Sequence, residues 1–337
     1  MKRAAILCPG RGAYTEKTLR SLPLRGAPGH DFVERADALR GARGLPSLAE
    51  LDSAPRFESA THLAPANVSS LIWLVSMIDA ARAAEEDAIV CVAGNSMGWY
   101  TALAVAGALD FDDGFRLVQE MAELQTEQQK AEGGGQVIYP VVDERWTRDP
   151  KLEDVVRAAL ETSDGAARSS IRLGGYEVLA GTEAGIAHLL RVLPKTKLGQ
   201  NLYPFRLMQH GPYHTPFAAP VAERARARLA NLRFRAPRTT LVDGRGARFT
   251  PWSTDPRELA EYTLSAQIVE PFDFTASVRV ALREHAPDRL VCPGPGNTLG
   301  GVCGQILALE GWRGIRSRED FDRVQAGEDP VLVSMRR

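Results

Sequence analysis

The stretch from Val90 to Leu109 constrains this chain most, because it reads as a strand, a sharp turn and a helix in direct succession. Ala88 to Ala93 is a continuous apolar run rich in strand formers, the pattern of a strand buried on both faces. Gly94-Asn95-Ser96-Met97-Gly98 follows, and Trp99 to Leu109 reads as a mostly apolar helix. G-x-S-x-G has meaning only in that setting. The flanking glycines permit a tight turn that pushes the serine side chain out, with its hydroxyl at a helix N-terminus. Ser96 is therefore a candidate nucleophile, the alternative being an ordinary turn serine.

A chain of 337 residues with 44% hydrophobic content has room for one large domain or two ordinary ones. A net charge of −1 gives no global pull toward nucleic acid or a membrane surface. Cys8, Cys91, Cys292 and Cys303 lie in or beside apolar runs without CxxC spacing. They read as reduced, buried thiols rather than a disulfide framework or a metal site. The start, Met1-Lys2-Arg3 with a short apolar run before Pro9, is too brief for a signal peptide, and no apolar run approaches a membrane span. A cytoplasmic protein is expected.

Ala4 to Cys8 is a buried-strand candidate ending on Pro9-Gly10-Arg11-Gly12. That glycine-rich loop fits neither a dinucleotide fingerprint nor a P-loop, so phosphate binding and a plain strand-to-helix turn both stay open. Gly26 to Arg56 is polar and yields no clear element, whereas Pro65–Ala84 and Asp112–Lys130 read as long helices. Gly133-Gly134-Gly135 marks a boundary. Beyond it the pattern predicts strand Gln136–Val142, helix Lys151–Thr162, strands Ser169–Leu173 and Tyr176–Ala180, helix Thr182–Leu193 and strand Phe205–Gln209. That is the β-α-β-β-α-β order of a ferredoxin-like unit. His210-Gly211-Pro212-Tyr213-His214-Thr215-Pro216 comes next, then a helix from Ala219 to about Leu232 and a short strand at Thr239–Val242. Helices over Arg257–Ser265 and Phe274–Glu284 and a last buried strand at Arg289–Cys292 complete the reading.

The Pro-Gly-x-Gly loop at 9–12, Gly94–Gly98, Pro212–Pro216, Gln267 with Pro271, and Gly294-Pro295-Gly296 occur in one order and spacing. With these motifs the chain resembles malonyl-CoA:acyl-carrier-protein transacylases and the acyltransferase domains of polyketide synthases, from about Ala4 to Leu307. The resemblance implies an α/β fold. A large α/β-hydrolase-like domain (1–132 and 205–337) would carry an inserted ferredoxin-like subdomain (133–204). It further implies a ping-pong acyl transfer from acyl-CoA through an acyl-serine to the phosphopantetheine thiol of an acyl carrier protein, with no bound cofactor or metal. Ser96 would attack, His214 would take its proton, and the backbone carbonyl of Gln267 would orient the imidazole. Backbone N–H groups of Arg11 and Met97 would form the oxyanion hole.

Three departures bear on the substrate. Asn95 stands where the family usually has His, and Arg11 where it usually has Gln. The helix that in malonyl-type members carries a carboxylate-binding arginine offers Met121, or Ala122 after a one-residue slip, and no Lys or Arg between Arg116 and Lys130. A carboxylate buried without a partner costs several kcal/mol. Asn95, Met121 and Arg11 are thus the candidate substrate-binding residues. Two readings follow: an uncharged acyl group packed against Met121, or a carboxylate met by Arg11 from the opposite loop. Residues 191–245 also hold eleven Lys or Arg against Glu223 and Asp243, which suits an acidic carrier protein and equally a solvated helix face. The competing functions are an acyl-carrier-protein hydrolase with the same Ser–His machinery and a docking module without catalysis.

Overall fold

The computed structural model describes residues 1–335. Thirteen strands occur among them: β1 (Arg3–Cys8), β2 (Ala88–Gly94), β3 (Gly135–Pro140), β4 (Ala167–Leu173), β5 (Tyr176–Gly181), β6 (Thr196–Leu198), β7 (Asn201–Tyr203), β8 (Phe205–Arg206), β9 (Leu241–Val242), β10 (Arg248–Phe249), β11 (Phe272–Asp273), β12 (Arg289–Cys292) and β13 (Leu332–Ser334). Six form a large sheet in the order β10-β9-β2-β1-β12-β13, parallel except for the β9–β10 hairpin.

The centre of that sheet is apolar on both faces because side chains alternate along a strand and both sides are covered. Ala4, Ile6 and Cys8 of β1 join one core, whereas Ala5 and Leu7 join the other. The Pro65–Glu86 helix buries Trp73 against Phe111 and Phe115, with ring centroids 5.0 and 5.5 Å apart. Each large side chain buried this way contributes roughly 1.5–3 kcal/mol. All four cysteines are free and buried. No helix among the described residues is long and apolar enough to cross a membrane.

Gly133 and Gly134, both at positive φ, turn the chain into the small sheet, ordered β11-β4-β5-β3-β8. Strands β3, β4, β5 and β8 with helices Pro150–Glu161 and Glu183–Val192 give the ferredoxin-like pattern. Phe205 and Arg206 pair with Ile138 and Val137, so this sheet runs past residue 204. The strand read over Phe205–Gln209 is only two residues long, and Gln209 turns away at φ 54°. Strand β11, from the large domain, pairs in parallel with β4 and ties the two sheets together.

Several elements differ from the sequence reading. The helix after Ser96 ends at Val105, where Gly107 at φ 76° closes it with the left-handed residue typical of a helix C-terminus. The helix starting at Ala219 stops at Arg228. The polar stretch before residue 56 folds into helices His30–Gly41 and Leu48–Asp52. The β6–β7 hairpin and helices Thr298–Leu309 and Arg318–Gln325 add to the elements read from sequence.

Candidate active site

Strand β2 ends at Gly94, and the next helix begins at Gly98. A Cβ on Gly94 would lie 2.1 Å from the Gly98 carbonyl oxygen, and one on Gly98 would lie 2.2 Å from that of Cys8. Only glycine fits either position, which is the physical reason for the motif. Between them Ser96 is held at φ 55°, a left-handed conformation that costs a non-glycine residue about 1–2 kcal/mol. The turn lifts its hydroxyl into a cleft.

His214 reaches that hydroxyl from the loop after the small subdomain. Its Nε2 is 2.8 Å from Ser96 Oγ, and its Nδ1 is 2.7 Å from the Gln267 carbonyl oxygen. A carbonyl only accepts, so Nδ1 carries the proton and Nε2 is left to accept from serine. The His214 N–H also donates to the Ile268 carbonyl, 2.8 Å away. Gln267 and Ile268 belong to the short helical turn Gln267–Val269, whose last carbonyls lack partners within the helix. His214 takes two of them. The Thr215 hydroxyl closes the loop on the Pro212 carbonyl, while the Ile268 bond and the Ser170 hydroxyl of β4, which donates to the Tyr213 carbonyl, pin it from both domains.

Burial holds the His214 imidazole down to about 4, an effect partly offset by the Gln267 carbonyl. It is neutral near pH 7 and free to accept a proton. The Gln267 side chain has a separate task, donating from Nε2 to the Ser96 carbonyl oxygen at 3.1 Å and accepting from the Tyr100 hydroxyl at 2.9 Å.

Arg11 and Met97 both line the cleft, and neither backbone N–H has an acceptor among the described residues. The loop carrying Arg11 lies against the elbow: a Cβ on Gly10 would be 2.8 Å from the Asn95 carbonyl oxygen. Gly296, at φ 68°, props the far end of that loop, with the Ala13 carbonyl oxygen 2.6 Å from where a Cβ would stand. Met121 and Ala122 form the wall of the cleft with Val118. Asn95, expected to contact substrate, is not part of the lining, because its side chain faces Gly10 instead. Gln125, Tyr213 and His210 also line the cleft and were not singled out as binding residues. A partial signal existed for Gln125, four residues after Met121 and so on the same helix face.

Of the eleven basic residues between 191 and 245, five are in ion pairs: Arg206 with Glu183, Arg224 and Arg228 with Glu127, Arg235 with Asp110, and Arg245 with Asp243. Much of that charge is therefore neutralised locally. Among the described residues no cluster of three or more His, Cys, Asp or Glu is arranged to hold a metal ion.

A serine at a strand–turn–helix elbow, with a histidine on its hydroxyl, is an arrangement suited to serine-dependent acyl transfer. No protein-family model matches the chain. It is 23% identical over 310 residues to the malonyl CoA-acyl carrier protein transacylase of Haemophilus influenzae, covering 91% of this chain and 93% of that one. Identity to the Mycobacterium tuberculosis protein of the same name is 27% over 327 residues, covering 95% and 98%. Among solved structures, the acyltransferase domain from the second module of the salinomycin polyketide synthase superposes with a TM-score of 0.75 at 22% identity, covering 100% of this chain and 69% of that one. A malonyl-transacylase in complex with its type II polyketide synthase acyl-carrier protein gives 0.72 at 22%, covering 91% and 93%. In sequence the chain is similar to the malonyl CoA-acyl carrier protein transacylases, and its fold is also that of an acyltransferase domain of a polyketide synthase.

Proposed function

We propose that the chain moves an acyl group from coenzyme A to the phosphopantetheine thiol of an acyl carrier protein, by way of an acyl ester on Ser96. The observation that carries this reading is the relay from Ser96 Oγ to His214 Nε2 at 2.8 Å and from His214 Nδ1 to the Gln267 carbonyl at 2.7 Å. Neutral His214 takes the serine proton as Oγ bonds to the thioester carbonyl carbon. The tetrahedral oxyanion is met by the backbone N–H groups of Arg11 and Met97, each such donor being worth about 10²–10³ in rate. The carbon–sulfur bond breaks, and the coenzyme A sulfur leaves with the proton from His214. In the second half the carrier thiol gives its proton to His214, attacks the ester, and Ser96 regains a proton.

The Gln267 carbonyl replaces the carboxylate of a Ser-His-Asp triad. A carbonyl at a helix C-terminus orients the ring and favours the imidazolium that forms in the transition state, without placing a full negative charge in the cleft. The resemblance to carrier-protein transacylases along almost the whole chain supports the same acceptor here.

Water in place of the carrier thiol makes the same machinery a hydrolase. The test is to mix the protein with a panel of acyl-CoAs and a holo carrier protein, then follow all acyl species by mass spectrometry. Transfer gives acyl carrier protein that persists, hydrolysis gives free acid in its place, and absence of both products contradicts both readings.

A further inference from the structure

The chain from Leu207 to Thr215 carries His214 without belonging to any strand or helix, so its backbone carbonyls must find partners one by one. On either side of His214 they meet a single helix. Gln125 Nε2 donates to the Gln209 carbonyl at 2.7 Å, Gln129 Nε2 to that of His210 at 3.3 Å, and Gln128 Nε2 to that of Phe217 at 2.9 Å. These glutamines are spaced i, i+3 and i+4 along Phe111–Ala131 and so share one face of it. Gln125 also accepts from Arg11, on the loop beside the elbow. Between the two attachments, the Tyr213 carbonyl accepts from Ser170 Oγ at 2.9 Å, and Ser170 is itself held by Gln136 Nε2 at 2.8 Å.

Gln128 is buried, and its Oε1 has no hydrogen-bond partner among the described residues. An amide kept inside the protein with its oxygen unpaired is used for its donor alone, and that donor goes to Phe217. Neither Gln128 nor Gln129 lines the cleft, whereas Gln125 does. Any effect of the first two on the chemistry must therefore pass through the loop.

We propose that Gln128 and Gln129 are positioning residues for the acyl transfer: by holding the Phe217 and His210 carbonyls they set the loop so that His214 Nε2 stays on Ser96 Oγ. This rests on the acyl-serine reading above. The same helix supplies Met121 and Ala122 to the cleft wall, so one element fixes both the wall and the base. Misplacing a catalytic group by about 1 Å can cost about 10²-fold in rate.

The test uses Gln128→Met, Gln129→Met and the double variant, because methionine keeps the length of the side chain and removes the amide donor. The acyl donor is whichever of malonyl-CoA and acetyl-CoA acylates the wild type faster. The saturating acylation rate should fall about tenfold in each single variant and about 100-fold in the double, with the half-saturating concentration unchanged within about twofold. The His214 ring, followed by NMR in protein carrying isotope-labelled histidine, should shift its titration midpoint from near 4 to above about 5 in the double variant, as a loosened loop admits water to the imidazole. The charged and titratable side chains that share the cleft with His214 are Arg11, Tyr100, His210 and Tyr213, and the variants alter none of them. Ser277→Ala removes a buried hydroxyl from the Asp243 carbonyl, outside the loop, and should leave rate and midpoint in place. An unchanged rate or midpoint in the double variant, or the same changes in Ser277→Ala, overturns the proposal. Where the double variant does not fold, the single variants are compared with Ser277→Ala in the same way. A wild type that is never acylated removes the acyl-serine reading, and the titration, which needs no substrate, still upholds or overturns the positioning.

Discussion

Ser96 and His214 are joined by a 2.8 Å hydrogen bond, and both are held at positive φ, 55° and 58°. Neither is glycine, so the fold maintains two unfavourable backbone conformations to bring one oxygen to one nitrogen. Replacing Ser96 by Gly and by Ala removes the same hydroxyl but relieves the strain only in the first. Ser96→Gly should therefore be about 1 kcal/mol more stable than Ser96→Ala in urea unfolding. Equal stabilities would mean that the elbow is unstrained.

His214 is buried and its pKa is held near 4, below the ordinary 6.5. Acylation, measured as kcat/KM, should be level from pH 8 down to about pH 5.5 and half lost only near pH 4. Between 6.5 and 4 the unfolded chain binds more protons than the folded one, so stability should fall as the pH drops through that window. His210, held near 3 by burial and by Arg11, works in the same direction. A half-loss of acylation at pH 6.5 would place the working base in a solvated setting.

Removing the imidazole is expected to be far more damaging than removing the Gln267 side chain. His214→Ala should lower the acylation rate by at least about 10³-fold. Gln267→Ala retains the backbone carbonyl on Nδ1 and loses only the bonds to Ser96 and Tyr100. Its rate should fall by roughly tenfold, with a loss of about 1–2 kcal/mol in stability. Comparable losses in the two variants would make the amide side chain, not the carbonyl, the third member of the relay.

Gly98→Ala tests the elbow itself. A methyl group 2.2 Å from the Cys8 carbonyl oxygen forces the start of the helix away from the end of β1. We expect destabilisation by about 3 kcal/mol or more, read as loss of soluble protein or a lowered urea midpoint. A folded, active Gly98→Ala would show that the turn has another geometry.

The elbow was legible in the sequence because its constraint is local: two glycines, a strand and a helix within a short stretch of chain. The ferredoxin-like order was legible from periodicity, except that its last strand shrinks to Phe205–Arg206 and its sheet gains β11 from a distant segment. Pairings across long stretches of chain were not legible from residue pattern. Ser96 and His214 are 118 residues apart, and only the resemblance to known transacylases connected them. The contact between Arg11 and Gln125 spans 114 residues and had no such precedent in the motif reading. Asn95 was expected among the substrate-binding residues because it stands where the resembled family usually has His, yet its side chain lies against Gly10. The basic run from 191 to 245 showed only Glu223 and Asp243 against it for a similar reason: acids such as Glu127 and Asp110 come from other parts of the chain.

The most direct test of the account is to quench the protein with acid seconds after adding malonyl-CoA and map the adduct by peptide mass spectrometry. The account places one malonyl group on Ser96, absent from Ser96→Ala and discharged when a holo carrier protein is added before the quench. An adduct on another side chain, or one that persists in Ser96→Ala, would contradict it.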